Sequence, residues 1–337
     1  MAGLKVSEVG EFDLIDRLAR RLKPPNPDVL VGIGDDVAVL RVGEDRCILA
    51  TCDVQVAGIH FLPEKVDPYR LGRRCAAVNL SDIAAVGGRP THFLVSLLLP
   101  SDTDVAFLEA LYDGLSDEAG RYGADVVGGN VSGSRCLQID LTLLGEAAPE
   151  HVLRRGGARP GDRVLVTGRV GASAAGLALV LNPALDVPEP FRRSVLDAHL
   201  TPTPRLPESQ AIVAAGGATA MIDVSDGLAR DLAHICDASG VGVRIRAEAV
   251  PIDEATRRVA QAAARDPLEW GLGGGEDYEL LFTARPERVE GIVAAVQQAT
   301  GTPVAVIGEV VRASQGRRLV FADGREAELA PRGWVHF

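Results

Sequence analysis

Short acidic motifs at the edges of apolar segments restrict this chain more than any other feature of its sequence. A carboxylate buried at the end of a strand or helix costs several kcal/mol unless positive charge compensates it. The chain has only three lysines, and no lysine or arginine lies inside the motifs. Divalent cations bind carboxylate and phosphate oxygens, so the pattern predicts a magnesium-phosphate enzyme. The motifs are Gly34-Asp35-Asp36, Thr51-Cys52-Asp53, Asn79-Leu80-Ser81-Asp82, Asp223-Val224-Ser225-Asp226-Gly227 and Gly275-Glu276-Asp277.

The length of 337 residues predicts two domains, because one hydrophobic core rarely supports a chain of this size. A hydrophobic content of 47% with only 4% aromatic residues indicates cores of Ala, Val, Leu and Ile, as in α/β proteins. Proline and glycine cluster between residues 147 and 161. We therefore predict an N-terminal α/β domain over residues 1–149 and a C-terminal α/β domain over residues 150–337.

The net charge of −11 argues against binding to nucleic acid or to an anionic membrane, since both require basic patches. Bound Mg²⁺ reverses the local sign of charge, so anionic small ligands stay possible. The five cysteines form no CxxC pair, which disfavours a zinc site or a disulfide framework. With no apparent leader and no apolar run near the ~20 residues of a membrane span, the expectation is a cytoplasmic protein.

The periodicity of apolar residues predicts strands and helices in both halves of the chain. A strand over residues 47–52 is expected to end at Asp53, and a helix over residues 70–86 to carry Asp82. A strand over residues 124–127 is expected to lead into a Gly-Gly turn. In the second half, a helix over residues 226–238 is expected to have Ser225 as its N-cap and Gly240 as its stop.

Each motif also has an interpretation without a functional role. The Gly32–Asp36 segment is compatible with a solvated turn, and residues 273–275 with a flexible loop. A helix cap explains Ser225 and Asp226, although it does not explain Asp223, which follows an apolar strand. His60 is a lone histidine, which is usually structural, and Trp334 could simply pack against its domain.

The absent motifs narrow the ways in which a nucleotide can bind. The sequence contains no Walker P-loop, no G-x-S-x-G elbow, no protein-kinase motif set and no G-x-G-x-x-G fingerprint. A phosphate enzyme with this sequence is therefore expected to bind its nucleotide through metal ions and backbone amides.

Taken together and in this order, the motifs closely resemble those of the thiamine-monophosphate kinase family, which shares a superfamily with aminoimidazole ribonucleotide synthetase and selenophosphate synthetase. A single match would be weakly specific, whereas the full set in register is highly specific. The matching segments are GEF (10–12), GIGDD (32–36), the run 51–61 ending AGIHF, NLSDIAAVGG (79–88), VVGGNVS (126–132), RRGGARPGD (154–162), IDVSDGL (222–228), GGGEDYEL (273–280) and GWVHF (333–337).

The resemblance implies an α/β fold with mixed sheets in a two-domain, PurM-like architecture, whose N-terminal domain pairs in a homodimer. It also implies ATP, several Mg²⁺ ions and thiamine monophosphate as ligands, with ATP and Mg²⁺ bound by the N-terminal domain (1–149) and the active site completed by the C-terminal domain (150–337). Cys52 stands where Thr is common, so only its main-chain carbonyl is expected to bind metal, and Asn130 stands where Asp also occurs. The implied metal ligands are Asp36, Thr51, Cys52, Asp53, Asp82, Asn130 and Asp223, with Asp226 near a further ion. The implied ATP contacts are Tyr112, Gly129, Asn130, Arg155 and Ser225, and the implied substrate contacts are His60, Glu276 and Trp334.

The implied reaction is ATP-dependent phosphorylation of thiamine monophosphate to thiamine diphosphate, the last step of thiamine diphosphate biosynthesis. A phosphate monoester loses its second proton near pH ~6, so the acceptor oxygen is already anionic and no general base is assigned. Phosphoryl transfer then depends on positioning and charge neutralisation, as direct in-line transfer without a phosphoenzyme. A Mg-dependent phosphohydrolase and a non-catalytic nucleotide-binding relative are the alternatives.

Overall fold

A computed structural model of the chain describes residues 4–334. The last three residues of the C-terminal motif, 335–337, lie outside the described residues. Within the described part, no helix combines the length and the apolar character needed to cross a bilayer.

The first half of the chain forms a six-stranded mixed sheet in the order β1-β2-β3-β6-β4-β5. The long strand β3 pairs antiparallel with β2 and β6, whereas β4 and β5 run parallel. This arrangement places β3, which carries one of the acidic motifs, in the interior of the sheet. The strands are β1 (Val29–Val31), β2 (Ala38–Arg41), β3 (Cys47–Val56), β4 (Arg89–Leu99), β5 (Asp125–Gly133) and β6 (Gln138–Ala147).

Two long helices pack against each other beside this sheet, and the first of them carries Asp82. Its N-cap is Asp67, whose carboxylate accepts a hydrogen bond from the backbone N–H of Arg70. The two helices approach so closely at Gly72 that an added Cβ there would lie 1.9 Å from the carbonyl oxygen of Leu111. The helices of the first half are α1 (Val6–Val9), α2 (Glu11–Ala19), α3 (Pro68–Ala85) and α4 (Val105–Arg121).

The second half forms a seven-stranded mixed sheet in the order β13-β12-β9-β11-β7-β10-β8. Its strands are β7 (Arg163–Thr167), β8 (Ala218–Asp223), β9 (Val241–Arg246), β10 (Leu280–Ala284), β11 (Val304–Arg312), β12 (Arg317–Val320) and β13 (Glu326–Glu328). Its helices are α5 (Ala172–Leu181), α6 (Glu189–Leu200), α7 (Leu206–Ala215), α8 (Leu228–Ser239), α9 (Glu254–Ala262), α10 (Pro267–Gly273) and α11 (Val289–Thr300). The predicted α/β class with mixed sheets is confirmed.

One hydrophobic core joins the two halves. The same buried cluster contains Leu71 and Ile83 from α3 together with Leu206, Met221 and Phe282 from the second half. Helix α3 packs against α7 and β8 as well as against the first sheet. The acidic end of α3 is therefore held against the acidic end of β8.

Three predicted element boundaries are wrong. Strand β3 continues through Asp53 to Val56, and β5 continues through the predicted Gly-Gly turn at residues 128–129. Helix α8 begins at Leu228 with Gly227 as its N-cap, and the predicted cap Ser225 instead uses its carbonyl to accept the backbone N–H of Glu276 at 2.6 Å. Pairing with neighbouring segments, which local sequence does not show, keeps these residues extended. The predicted stop at Gly240 is confirmed, in a left-handed conformation.

Candidate active site

Three carboxylates from different parts of the chain meet at the junction of the two halves. Asp36 follows β1, Asp82 lies near the end of α3, and Asp223 is the last residue of β8. One oxygen from each lies within 4.8 Å of the others. The structure therefore brings together acids that are far apart in sequence, in a geometry that could hold a metal ion.

Each acid of this cluster is fixed by one neighbouring donor. The hydroxyl of Thr51 donates to Asp82 at 2.5 Å, and the hydroxyl of Ser81 donates to Asp223 at 2.6 Å. The guanidinium of Arg155 donates to Oδ1 of Asp36 at 2.5 Å. The second oxygen of Asp36, Oδ2, is buried and has no hydrogen-bond partner among residues 4–334. A buried carboxylate oxygen without a donor fits a cation ligand.

The cluster is electrostatically unfavourable without a cation. Burial, followed by the charges of Asp53, Asp223 and Asp36, raises the pKa of Asp82 well above its usual range. Burial and then the charge of Asp36 raise the pKa of Asp223 to about 8. Burial also raises the pKa of Asp36, and Arg155 opposes that shift only in part. The donor set is all oxygen, which is the set preferred by Mg²⁺.

Strand β3 supplies the neighbours of this cluster. Asp53 is half-buried in the middle of the strand, and its charge acts on both Asp82 and Asp223. Because strand side chains alternate, Cys52 points to the opposite face of the sheet from Thr51, and it is exposed there. The side chain of Cys52 therefore points away from the acidic cluster.

A second group of possible ligands lies at the start of α8. Oxygen or nitrogen atoms of Asp226, Asp231 and His234 lie within 4.8 Å of one another. Asp231 is buried and accepts the backbone N–H of Gly227 at 3.0 Å, and burial followed by the charges of Asp226 and Asp223 raises its pKa well above the usual range. Sequence reasoning identified Asp226 and missed the other two. Their i, i+3 spacing on the helix that follows Asp226 is the signal that could have found them.

The segment of residues 224–227 (VSDG) pairs through its backbone with the segment of residues 274–278 (GGEDY). The N–H of Tyr278 donates to the carbonyl of Val224 at 2.8 Å. A Cβ at Gly275 would lie 2.7 Å from the carbonyl oxygen of Ser225, so no other residue fits there without a shift. Glu276 and Tyr278 adopt left-handed conformations, with φ of 57° and 51°. In this backbone conformation the carboxylate of Glu276 reaches helix α3, where it contacts Arg74.

A buried arginine that the sequence did not single out connects two of the predicted substrate contacts. Arg74, on α3, forms an ion pair with Glu276 and donates to the carbonyl of His60 at 3.4 Å. The backbone N–H of Val56 donates to Nδ1 of His60 at 3.0 Å, which leaves the ring proton on Nε2 in the neutral imidazole.

Trp334 lies beside the second acidic group. Its backbone N–H donates to the carbonyl of Asp226 at 3.1 Å, and its residue surface is 50% exposed. The C-terminal segment therefore comes back to the candidate site, with an aromatic ring that is accessible to a ligand.

Tyr112, Gly129 and Asn130 lie apart from the acidic cluster. Tyr112 is half-buried on α4, which packs on β5, and the two β5 residues are exposed at the edge of the sheet. In the sheet register Gly129 of β5 pairs with Val95 of β4, Val95 pairs with Leu141 of β6, and Leu141 pairs with Asp53 of β3. Three strand spacings, about 14 Å in total, thus separate Gly129 from Asp53.

Comparison with known proteins places both halves of the chain in one family. Residues 34–147 match the N-terminal domain of AIR synthase related proteins, and residues 159–320 match the C-terminal domain. The thiamine-monophosphate kinase of Salmonella typhimurium is 39% identical over 97% of this chain and 98% of its own length. That of Aquifex aeolicus is 36% identical over 99% and 100%. The structure of AaThiL complexed with AMPPCP and TMP superposes with a TM-score of 0.86, at 35% identity and full coverage of both chains.

Proposed function

The chain belongs to the thiamine-monophosphate kinases of the AIR synthase related family, and from this we propose that it transfers the γ-phosphate of ATP to thiamine monophosphate, giving thiamine diphosphate. Full-length similarity to these kinases supports the reaction. A structural relative complexed with AMPPCP, an analogue of ATP, and with TMP supports the two substrates. The observation that carries most weight is the convergence of Asp36, Asp82 and Asp223 on one point between the halves.

We propose that the acidic cluster holds Mg²⁺. Side-chain oxygens of Asp36, Asp82 and Asp223 lie within 4.8 Å of one another, and the unpartnered Oδ2 of Asp36 supports a cation there. Thr51, which donates to Asp82, and Asp53, whose charge acts on Asp82 and Asp223, are also proposed as ligands. The main-chain carbonyl of Cys52 is a further proposed ligand. Because Asn130 lies apart from this cluster, three strands away from Asp53, its side chain is proposed to bind a different Mg²⁺ ion, and Asp226 a further one. When bound, Mg²⁺ neutralises charge on the triphosphate and on the acceptor.

The residues of the chain orient the reactants rather than exchange protons with them. Thiamine monophosphate is already largely anionic at neutral pH, because the second proton of a phosphate monoester is lost near pH ~6. No general base is needed, and the transfer is direct and in line. Arg155, anchored on Asp36, contributes positive charge beside the phosphates. Tyr112, Gly129, Asn130 and Ser225 contact ATP in this proposal.

We assign the thiamine end of the substrate to His60, Glu276 and Trp334. Glu276 presents a carboxylate that is partly accessible to solvent, and the imidazole of His60 is held by the backbone N–H of Val56. The exposed indole of Trp334 fits a cation–π contact with the thiazolium.

We also propose a homodimer that forms through the first sheet. Helices α3 and α4 pack on one face of this sheet, and the other face carries the exposed apolar side chains of Val54 (42%) and Leu94 (41%) as well as exposed Cys52. Pairing with a second copy would bury that face. Sedimentation equilibrium should then give twice the chain mass, and a monomer at micromolar concentration would contradict the proposal.

The function is tested by incubating the protein with ATP, Mg²⁺ and thiamine monophosphate and measuring thiamine diphosphate. Free thiamine is the control acceptor and should give no product. ATP hydrolysis that does not depend on the acceptor would instead identify a phosphohydrolase. Saturable binding without product, even with excess Mg²⁺, would identify a non-catalytic nucleotide-binding protein.

A further inference from the structure

We infer that Arg74 is a positioning residue, which sets the thiamine end of the substrate site by holding Glu276 and the His60 segment at a fixed distance from each other. This inference rests on the proposed function, because it takes Glu276 and His60 as substrate contacts. It concerns a residue of helix α3 that none of the acidic motifs contains.

Arg74 is a buried cation whose guanidinium bonds to three different segments of the chain. Its side chain is only 2% exposed, and its partner Glu276 is 31% exposed. The Nη1 atom donates to the carbonyl of His199 at 2.9 Å, and Nη2 donates to the carbonyl of His60 and to Glu276. One planar guanidinium therefore joins α3, the end of α6, the segment after β3 and the segment before β10.

Glu276 needs such a partner because its backbone is not in a common conformation. A φ of 57° is unusual for a residue other than glycine. Its backbone N–H is bound to Ser225, and its Oε1 is bound to Arg74. The backbone bond and the side-chain ion pair together fix the orientation of the carboxylate of Glu276, which stays 31% exposed.

His199, which lies between Arg74 and Glu276, adds no charge to this network at neutral pH. Burial and then the charge of Arg74 lower the pKa of His199 to about 4, so the imidazole is neutral at pH 7. Its Nδ1 lies 3.0 Å from the hydroxyl of Ser173 and 3.8 Å from Oε2 of Glu276. Among the described residues with contacts to Glu276, Arg74 is then the group that supplies a full positive charge. Loss of that charge would leave the carboxylate free to move.

The inference predicts a defect confined to one substrate. Arg74 contacts both proposed thiamine-site residues, and the contacts described for it include none of the proposed ATP residues. Displacement of a substrate contact by a fraction of an ångström to one ångström can cost tenfold to about a hundredfold in rate or binding. The Michaelis constant for thiamine monophosphate should therefore rise by that order, while that for ATP should stay within about twofold.

The test compares Arg74→Met with Arg74→Lys in steady-state kinetics at saturating Mg²⁺. The Lys variant keeps the charge and one bond to Glu276, so it should restore most of the affinity for thiamine monophosphate. The matched control is Arg205→Gln. Arg205 forms a buried ion pair at 2.7 Å with Glu279, three residues beyond Glu276 in the same segment. This control should lower the melting temperature without changing the Michaelis constant for thiamine monophosphate.

Three results would overturn the inference: an equal rise for both substrates in Arg74→Met, no rescue by Arg74→Lys, or the same kinetic defect in Arg205→Gln. If Arg74→Met does not fold, the double variant Arg74→Met/Glu276→Gln removes the unpaired carboxylate. It should bind thiamine monophosphate only slightly more weakly than Glu276→Gln alone, because the bond to the carbonyl of His60 is the one further contact with the thiamine site that is lost. A further loss as large as that of Glu276→Gln itself would contradict the positioning role. Absence of product with the unaltered chain would overturn the proposed function, and this inference with it.

Discussion

Two groups of carboxylates lie at the junction between the halves of this molecule, and they are compensated in opposite ways. In the first group, Asp36, Asp82 and Asp223 crowd together, and the pKa of each is raised. Arg155 compensates only one of them directly. By contrast, Glu276 and Glu279, the paired glutamates, each have an arginine partner: Arg74 reaches Glu276 from the first half, and Arg205 reaches Glu279 within the second half.

The difference distinguishes acids that bind an exchangeable cation from acids that hold the structure. Burial and repulsion within the first group are a cost to the folded protein, which is relieved when a cation binds or when an acid takes up a proton. The charges of Glu276 and Glu279 are balanced within the chain, so their ion pairs stabilise the folded state whether or not a ligand is bound. Removal of one acid should therefore have opposite effects on stability in the two places.

The largest effect is expected for Asp82→Asn. Loss of one ligand should reduce turnover by about a thousandfold, because phosphoryl transfer depends on charge neutralisation at this point. The metal-free variant should nevertheless melt at a higher temperature than the unaltered chain, since the repulsion from Asp53, Asp223 and Asp36 is relieved. Kinetics and calorimetry in EDTA measure the two effects.

The matched control for Asp82→Asn is Asp113→Asn, at an exposed position on α4. It should change neither turnover nor melting temperature. Retention of full activity in Asp82→Asn at ordinary Mg²⁺ concentration would remove Asp82 from the metal site, and a lower melting temperature in EDTA would remove the contrast between the two groups.

A smaller effect, of opposite sign on stability, is expected for Glu279→Gln. The change removes the nearer of the two carboxylates of Arg205 and leaves Glu208 at 3.7 Å. Breaking a buried pair costs about 3 kcal/mol, so with Glu208 still present the loss should be about 2 kcal/mol. Urea denaturation should show this loss, and the kinetic constants of the folded variant should be unchanged. Glu309→Gln is the control, because its ion pair with Arg163 is 43% and 45% exposed and such pairs contribute about 1 kcal/mol or less. Equal losses in the two variants would contradict the prediction.

The smallest effect concerns the pH dependence of stability. The pKa of His199 is about 4 in the folded protein, against 6.5 for an unperturbed histidine, so the unfolded chain binds the proton more tightly. Its contribution is fully present above pH 6.5 and is lost as the pH falls toward 4. His199→Gln should therefore lose less stability than the unaltered chain over that range. Urea midpoints at several pH values measure the difference, and parallel curves would refute it.

The acidic residues of the site could be predicted from sequence because each is a charged residue within or beside an apolar segment. Asp53, Asp82 and Asp223 each interrupt an apolar segment, and that contrast indicated a shared site. Arg74 and Arg155 gave no such signal, because an arginine beside apolar residues is common on exposed surfaces. Their partners lie 202 and 119 residues away along the chain. The family resemblance named Arg155 as an ATP contact, but its ion pair with Asp36, and the whole role of Arg74, became visible only in the folded arrangement.

Local sequence was also insufficient at the edges of elements. The strand containing Asp53 was expected to stop there, and in the structure its pairing with β6 extends to Val56. Ser225 has the residue type of an N-cap, but its segment pairs with residues 276–279, and Gly227 takes the capping position. In both cases hydrogen bonds to a distant segment outweighed the local preference.

The continuous core between the halves has a mechanical consequence. Leu71 and Ile83 on one side and Met221 and Phe282 on the other belong to a single buried cluster, so a hinge that opened the halves would expose apolar surface at every turnover. Domain closure around the substrates is therefore not expected in this molecule. The active site between the halves should be largely preformed, and side-chain movements should account for most of the change on substrate binding.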